Sequence, residues 1–475
     1  MNIAKLTICR CLMAAFLTLL AFQASPATPI DNARLLFEDG EYQAALTRLE
    51  PMLSKPATAK NPEVNFLAGA CCIALGDNVR GTKLLDNAIR RGSLDATIFM
   101  AEESINRYRL EEAEGYIEAY ESAIAKKKKA PREGLDELNS RIVLTRNMLD
   151  RVEKIAVIDS ITVPRDDFFR YYRLSPETGR LADASILPRG IRTSSPGVVY
   201  VPENEVSLLW AATDTTGTSV LMGADLLGDG TMSQPHMLDG DFNDNGDANF
   251  PFMMSDGITL YYANDGDNTL GGYDIFMTRK GDDGRFLQPQ NIGMPYNSPY
   301  DDYMLAIDEV TGAGWWATDR NQIPDSVTIY VFVPNDVRQN YTADDPDVAS
   351  LAMIESISRT QTSPEGYDDV RRRISETASA GNADNKNSFR FYIPGKGIYT
   401  AMEDFRSAEA ARAMQNYIDK RNEISRQRRH LTLLRKEYAE GNMDVSTEIA
   451  RLEHSLLSAD TELDKAASAV VKAEL

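Results

Sequence analysis

The chain has 475 residues, of which 71 are acidic and 51 are basic, and its formal net charge at pH 7 is −20. This length leaves room for about two to four domains with real cores, so the protein is not a small scaffold held together by disulfides. The negative charge excludes nucleic acid and anionic lipid surfaces as expected partners, because both repel such a field.

Residues 1–27 have the anatomy of a secretory signal peptide. Lys5 and Arg10 lie near the start, and an apolar run extends from Cys11 to Phe22. Small residues then form a cleavage site that ends at Ala27. A transmembrane anchor is the alternative, although the run is shorter than the roughly 20 residues that a span requires. We therefore expect an exported chain with no transmembrane span after cleavage.

Residues 28–154 are predicted to form helix pairs. Three copies of one pattern begin at Gly40, Gly76 and Tyr108, each with a small residue seven positions earlier (Ala33, Gly69, Ala101) and an apolar residue nine positions later (Leu49, Leu85, Ile117). Small residues at fixed positions let two helices approach closely, and the segment resembles tetratricopeptide repeats in this respect. The resemblance implies a stacked α-solenoid that binds a peptide or a protein. A purely structural helical cap is the alternative.

The segment from Phe250 to Ser298 is predicted to contain one whole blade of a β-propeller. An Asp256-Gly257 turn precedes the apolar run Ile258–Ala263. Gly271 and Gly272 then give the backbone the freedom to turn before the alternating run Tyr273–Met277. The order strand, turn, strand, turn is that of a propeller blade.

The pieces SDGITLYYAND, GGYDIFMT and NIGMPYNSPYDD resemble the WD-repeat-like propeller blades of the TolB type found in envelope proteins of Bacteroidota. Weaker copies at Leu208–Asp214 and Gly314–Arg320 lie about 50 residues to either side, which fits a repeated blade, although both lack the GGYD element. The resemblance implies an antiparallel β-propeller over residues 155–400, with a polar excursion at about 335–387. Similar proteins of gliding and type IX secretion often carry an OmpA-type terminal domain, which this sequence lacks.

Residues 401–475 are predicted to form a helical hairpin or a short coiled coil. Apolar residues recur every seven positions on both sides of a break at Gly441-Asn442. They are Tyr417, Ile424, Leu431 and Tyr438 before the break, and Ile449, Leu456, Leu463 and Val470 after it. An intramolecular hairpin and self-association through the same seam both satisfy this pattern. The whole chain is thus expected to be a multidomain α + β protein.

The sequence contains no motif that indicates hydrolase chemistry. Its only histidines are His236, His430 and His454, and none lies in a nucleophile elbow or in a metal-ligand motif. Paired carboxylates on a propeller would serve a glycosidase, so the many acidic residues keep that class open. We expect a protein that is not an enzyme and has no cofactor.

One loop is a candidate calcium site. From Asp241 onward, oxygen-bearing side chains alternate along the chain and Gly246 supplies a sharp turn, as in EF-hand-like loops. The candidate ligands are Asp239, Asp241, Asn243, Asn245 and Asp247. Position 12 of the loop is Phe252 instead of the usual glutamate, so tight binding would need another carboxylate. The alternative is an Asx-rich loop without metal, whose side chains hydrogen-bond their own backbone.

Together these patterns favour a non-enzymatic scaffold of a cell-envelope assembly, located in the periplasm or at the outer membrane and bound to other envelope proteins. The alternative is a carbohydrate-binding or carbohydrate-processing propeller. That alternative needs exposed aromatic side chains, and the pairs Trp315-Trp316 and Tyr261-Tyr262 are the candidates.

Overall fold

The computed structural model describes residues 28–125, 134–188, 190–203, 206–227, 231–243, 246–342, 345–361, 364–384, 391–394, 396–399, 401–439, 442, 445–456 and 459–475. The predicted signal peptide lies outside the described residues. The chain divides into two compact units, Met1–Asp150 and Arg151–Leu475. Helices come first, antiparallel sheets follow, and helices end the chain, so the mixed α + β class is confirmed.

The described part of the first unit is helical. Its helices are α1 Pro29–Glu38, α2 Tyr42–Ser54, α3 Pro62–Ala74, α4 Asn78–Arg90, α5 Leu94–Asn106, α6 Leu110–Ile124 and α7 Leu135–Leu149. Side-chain oxygens of Thr28, Asn61, Asp77 and Ser93 accept backbone N–H groups in the first turns of four of them, which is ordinary N-capping. Each helix packs on the next one in the chain.

Close packing inside the first unit depends on the small residues of the repeated pattern. Ala33, Gly69 and Ala101 are buried. A Cβ atom on Gly69 would lie 2.8 Å from Leu85 Cγ and 3.0 Å from the Gly81 carbonyl oxygen. A Cβ atom on Gly81 would in turn lie 2.9 Å from the Gly69 carbonyl oxygen. The backbones of α3 and α4 therefore touch at a point where no side chain fits.

In its described residues the second unit contains three larger antiparallel sheets and one short antiparallel strand pair. The strands of the larger sheets are β1 Ala156–Pro164, β2 Arg180–Asp183, β3 Val198–Val201, β4 Ser207–Thr213, β5 Ser219–Asp225, β6 His236–Met237, β7 Ala248–Met253, β8 Thr259–Asn264, β9 Asp274–Arg279, β10 Gln290–Asn291, β11 Asp302–Asp308, β12 Ala313–Thr318 and β13 Ser326–Val333. The first sheet has the order β2-β3-β4-β5-β6, the second β7-β8-β9-β10, and the third β11-β12-β13-β1. In the described residues these sheets are not closed on themselves.

The third sheet takes its outer strand from the beginning of the unit. β1 pairs antiparallel with β13 along its whole length, from Ala156 opposite Val333 to Pro164 opposite Ser326. The other strands of the sheets follow one another in chain order. The first strands of the later sheets, β7 and β11, pack on the sheet before them. β8 and β9 lie where the sequence predicts strands.

Both β7 and β11 contain the same irregularity. The pairing of β7 with β8 shifts between Asn249 and Phe252, and that of β11 with β12 shifts between Tyr303 and Ala306. Inside each shift one non-glycine residue has a positive φ, Phe250 at 54° and Met304 at 56°. Such bulges bend a strand and re-aim its side chains.

Aromatic rings fill the space where the sheets meet. Phe168 is fully buried in the segment between β1 and β2, and its ring packs edge-on against Phe250 at 5.8 Å and Tyr303 at 5.2 Å between centroids. Phe250 and Tyr303 stack on each other at 4.5 Å. The re-aimed strands β7 and β11 thus supply rings to one continuous core.

The predicted polar excursion contains three helices, α8 Val348–Met353, α9 Ile357–Thr360 and α10 Asp368–Asp384. Ile354 and Val370 are buried in the cores of the sheets. Thr360 and Gln361 bind the backbone N–H and carbonyl of Val157, so this segment also caps part of the outer edge of β1.

The chain ends with a short strand pair and three helices. Strands β14 Phe391–Ile393 and β15 Gly397–Tyr399 pair antiparallel, and α11 Ala408–Ala439, α12 Ser446–Leu456 and α13 Ala459–Glu474 follow. The heptad residues Tyr417, Leu431 and Val470 are buried where α11 packs on α12 and α13, so part of the seam lies within the chain. No helix among the described residues has the length and apolar character to cross a membrane.

Candidate functional site

Two of the predicted calcium ligands, Asp239 and Asp247, have partners outside the loop. Asp239 pairs with Arg285, with 3.1 Å between Oδ1 and Nε, while the Asp247 carboxylate accepts the backbone N–H of Ser219 at 2.7 Å. Asp241 begins a single turn of 3-10 helix that ends at Asn243. Asn245 lies outside the described residues. Among the described residues, no three His, Cys, Asp or Glu side chains are arranged to hold a metal ion.

Asp247 instead joins the first sheet to the second. Its carboxylate binds the first residue of β5, and its own backbone N–H donates to the Asp265 carboxylate at 2.7 Å. Burial raises the pKa of Asp265; the hydrogen bond from the Asp247 N–H opposes this rise, and the negative charge of Asp247 adds to it. A Cβ on Gly246 would lie 2.4 Å from the backbone nitrogen of Gly266, so this contact also requires a glycine. We call this arrangement an aspartate joint.

A second aspartate joint links the second sheet to the third. The Asp301 carboxylate accepts the backbone N–H of Tyr273 at 3.1 Å, and the Asp301 N–H donates to the Asp319 carboxylate at 2.9 Å. A Cβ on Gly272 would lie 2.4 Å from Asp301 Oδ1. The glycine of the GGYD element is therefore needed because the carboxylate of the next sheet occupies the space of a side chain.

Arg165 lies beside the second aspartate joint. It follows β1 directly, and its guanidinium lies 3.1 Å from Asp319 and 3.8 Å from Asp301. Its backbone N–H donates to the Asp325 carbonyl at 3.0 Å. The side chain of Arg165 is 27% exposed whereas those of both aspartates are nearly buried, so the arginine is the part of this cluster that solvent reaches.

The remaining polar residues of the blade motif are also engaged with the backbone. Asp274 is fully buried and accepts the Leu270 N–H at 3.1 Å and the Asn291 amide at 2.6 Å. Asn297 accepts the N–H of Ile275 at 2.7 Å and donates to its carbonyl at 2.9 Å. At the start of β9, the amide of Asn297 thereby makes the two backbone hydrogen bonds that a neighbouring strand would make.

A buried ion pair completes the motif. Asp302 and Arg320 lie 2.8 Å apart with side chains 0% and 1% exposed. The backbone N–H and the hydroxyl of Ser298 both donate to Asp302 at 2.6 Å. Arg320 also donates to the carbonyls of Pro295 and Tyr296. All of these partners belong to the second unit's interior, so the pair holds the loop before β11 in place.

All three histidines are exposed, whereas the two tryptophans of the third sheet are buried. His236 is exposed on β6, and His430 and His454 lie on α11 and α12; in the described residues none of them has a hydrogen-bond partner to orient it as a base. Trp315 and Trp316 are 1% and 0% exposed, so neither offers a ring face to a ligand. They belong to the cores of the third sheet.

No family model, curated protein or solved structure matches this chain. The contacts alone therefore define what the arrangement can do: the carboxylates of the two aspartate joints bind backbone amides, Asp302 binds Arg320, and these contacts order the sheets. Sequence reasoning missed Arg165 and Arg320. For the aspartate joints a signal was present in the sequence, because the same interval separates Asp247 from Asp301 and Asp265 from Asp319.

Proposed function

We propose that the protein is a non-enzymatic scaffold of a Bacteroidota cell-envelope assembly. The observation that carries this proposal is the use of the motif's acidic residues. Asp274 and Asp301 bind backbone amides, and Asp302 binds Arg320 and Ser298. A glycosidase would need carboxylates aimed at a substrate, with room for a sugar between them. The carboxylates of Asp274, Asp301 and Asp302 are instead used in internal contacts, and aromatic rings fill the meeting point of the sheets.

The finer architecture belongs to the same proposal. The first unit would be a tetratricopeptide-like α-solenoid, which the helix pairs and the close approach of Gly69 to Gly81 support. The sheets would be blades of a TolB-like propeller, which the repeated aspartate joints and the completion of the third sheet by β1 support. Both architectures present rigid surfaces, and such surfaces suit a protein that positions others.

The proposed location is the periplasmic face of the outer membrane, reached through the signal peptide. The proposed partners are envelope proteins, bound by the helical repeats and by the sheet unit. An acidic chain of this kind would favour partners with basic surfaces, because complementary charge steers association.

Site-specific photocrosslinking in living cells tests this proposal. The crosslinker replaces Leu35 or Val79 in the first unit, and Val310 or Val337 in the second. All four side chains are exposed, with values from 54% to 86%, so the replacements disturb no core. The proposal predicts adducts with discrete envelope proteins, in a pattern that differs between the two units. Recovery of the bare protein, or the same unselective ladder from all four positions, would contradict it.

A further inference from the structure

Helices α11–α13 have apolar cores of their own. One cluster contains Tyr417 and Val470 together with residues of β14 and β15, and another contains Leu431, Leu434 and Leu452. In the described residues neither cluster includes a side chain of β1–β13. Helices α8 and α10 differ, because apolar residues beside or within them pack in the cores of the sheets. The terminal helices therefore do not share a core with the sheets beneath them.

α11 is tied to the sheets by two arginines and by Tyr417, whose side chain shares a hydrogen bond with Ser185. Arg421 lies 3.6 Å from the carboxylate of Asp183, the last residue of β2. Arg435 pairs with Asp325, just before β13, and with Glu453 of α12 at 2.8 Å. The two arginines are about 21 Å apart along the helix, at 1.5 Å per residue. α11 therefore spans from the first sheet to the third.

The segment between β1 and β2 lies between these same two anchors. Arg165, at its start, donates its backbone N–H to the carbonyl of Asp325 at 3.0 Å. Arg170, further along, pairs with Asp183 at 3.1 Å. The segment also joins the third sheet through Tyr172, whose hydroxyl donates to the Met304 carbonyl. α11 thus runs over the connection between the third and first sheets, where β2 is the edge strand.

We propose that α11 is a releasable strap that covers residues 165–187 and the free edge of β2. Partly exposed ion pairs contribute little to stability and weaken as salt rises, so the strap can open while the sheets stay folded. This inference does not depend on the proposed scaffold role.

Hydrogen exchange of the full-length protein, followed by mass spectrometry, tests the strap. The variant Arg421→Gln/Arg435→Gln removes both anchors. The matched control is Arg426→Gln, an arginine of the same helix whose partner is Glu423 one turn away. We expect exchange in residues 165–187 to be about 10-fold faster in the double variant, with β8 and β12 unchanged and the control like wild type.

Salt supplies a second measurement. Wild type should show the same local acceleration on going from low salt to about 1 M NaCl, and the double variant should show a smaller one, because its anchors are already absent and only the pairs of Arg165 and Arg170 remain to be screened. Two results would overturn the strap. One is equal exchange in the double variant, the control and wild type. The other is faster exchange throughout all three sheets, which would make α11 part of one cooperative unit with them.

Discussion

The two units of the chain are stabilised in different ways. In the helical unit the decisive contact is apolar and small: α3 and α4 approach so closely at Gly69 and Gly81 that a methyl group does not fit. In the sheet unit the decisive contacts are polar and buried, and the pair Asp302–Arg320 with the joints at Asp247 and Asp301 are examples.

This difference shows how each unit should respond to mutation. Apolar packing is non-directional, so neighbouring side chains can share the cost of a misfit. A buried polar group has no such freedom, since a missing partner leaves the other group desolvated and unpaired. We therefore expect a change of a single polar atom in the sheets to lower the stability strongly, and changes in the helices to lower it by graded amounts.

Each unit carries its own spectroscopic probe, which lets this comparison be measured in the intact protein. All three tryptophans, Trp210, Trp315 and Trp316, lie in the sheet unit and are buried. Cys71 and Cys72 are buried in α3, and the only other cysteines belong to residues 1–27. Tryptophan fluorescence therefore reports unfolding of the sheet unit, and thiol labelling reports unfolding of the helical unit.

The largest effect is expected from Asp302→Asn. This change keeps the shape of the side chain but leaves the buried guanidinium of Arg320 without a counter-charge. Loss of one partner of a buried pair costs about 3–5 kcal/mol. Urea unfolding followed by tryptophan fluorescence should show this loss. The matched control is Asp239→Asn, because its pair with Arg285 is more than half exposed and exposed pairs are worth about 1 kcal/mol or less. Equal losses of stability in Asp302→Asn and Asp239→Asn would contradict the claim that buried polar contacts stabilise the sheet unit.

A smaller loss is expected from Gly69→Ala in the helical unit. The new methyl group would have to displace Leu85 and the Gly81 backbone, and overpacking of this kind costs about 1–3 kcal/mol. Labelling of Cys71 and Cys72 in urea should show an earlier transition, while tryptophan fluorescence should not change.

The effect of Glu102→Gln should depend on pH. Burial, and then the charges of Glu103 and Glu137, raise the pKa of Glu102 from 4.5 to about 7, although Arg141 opposes the rise. The contribution of its protonated form is fully present below pH 4.5 and is lost as pH rises through about 7. The glutamine variant avoids that loss. It should match wild type near pH 4 and be about 3 kcal/mol more stable at pH 8, by thiol labelling. A difference that does not change with pH would refute this account.

The smallest effect, opposite in sign to that of Gly69→Ala, is expected from Gly115→Ala. Gly115 lies on the exposed face of α6, and no atom lies within 4 Å of the position of a Cβ. Alanine in an exposed helix interior is more stable than glycine by about 1 kcal/mol. The same substitution should therefore stabilise at 115 and destabilise at 69. If alanine destabilised the protein at both positions, the loss at position 69 could not be attributed to the close fit there.

The sequence predicted the parts of the fold that depend on local pattern. The repeat offsets around Gly69 predicted close helix packing, and turns and alternation placed β8 and β9. It did not predict that Ala156 pairs with Val333, because no local signal links strands so far apart in the chain. Nor did it predict α8–α10, whose short polar sequences become helical by packing a few residues such as Val370 on the sheets.

The candidate site was harder to predict than the fold. Spacing alone placed Asp239, Asp241 and Asp247 in one calcium loop, but spacing does not show where a carboxylate points. The structure directs Asp247 to Ser219 and Asp239 to Arg285. The partners lie outside the loop, so only a three-dimensional arrangement identifies them.

The most direct test of the central claim, that the aspartates are joints between sheets, is the stability of Asp247→Ala and Asp301→Ala with calcium and with a chelator. Each variant loses an acceptor for a backbone N–H, at a cost of about 1–3 kcal/mol. We predict that tryptophan fluorescence in urea will show this loss equally in both conditions, and that wild type will not respond to calcium. Calcium stabilisation of wild type that Asp247→Ala abolishes would contradict the account and restore the loop as a metal site.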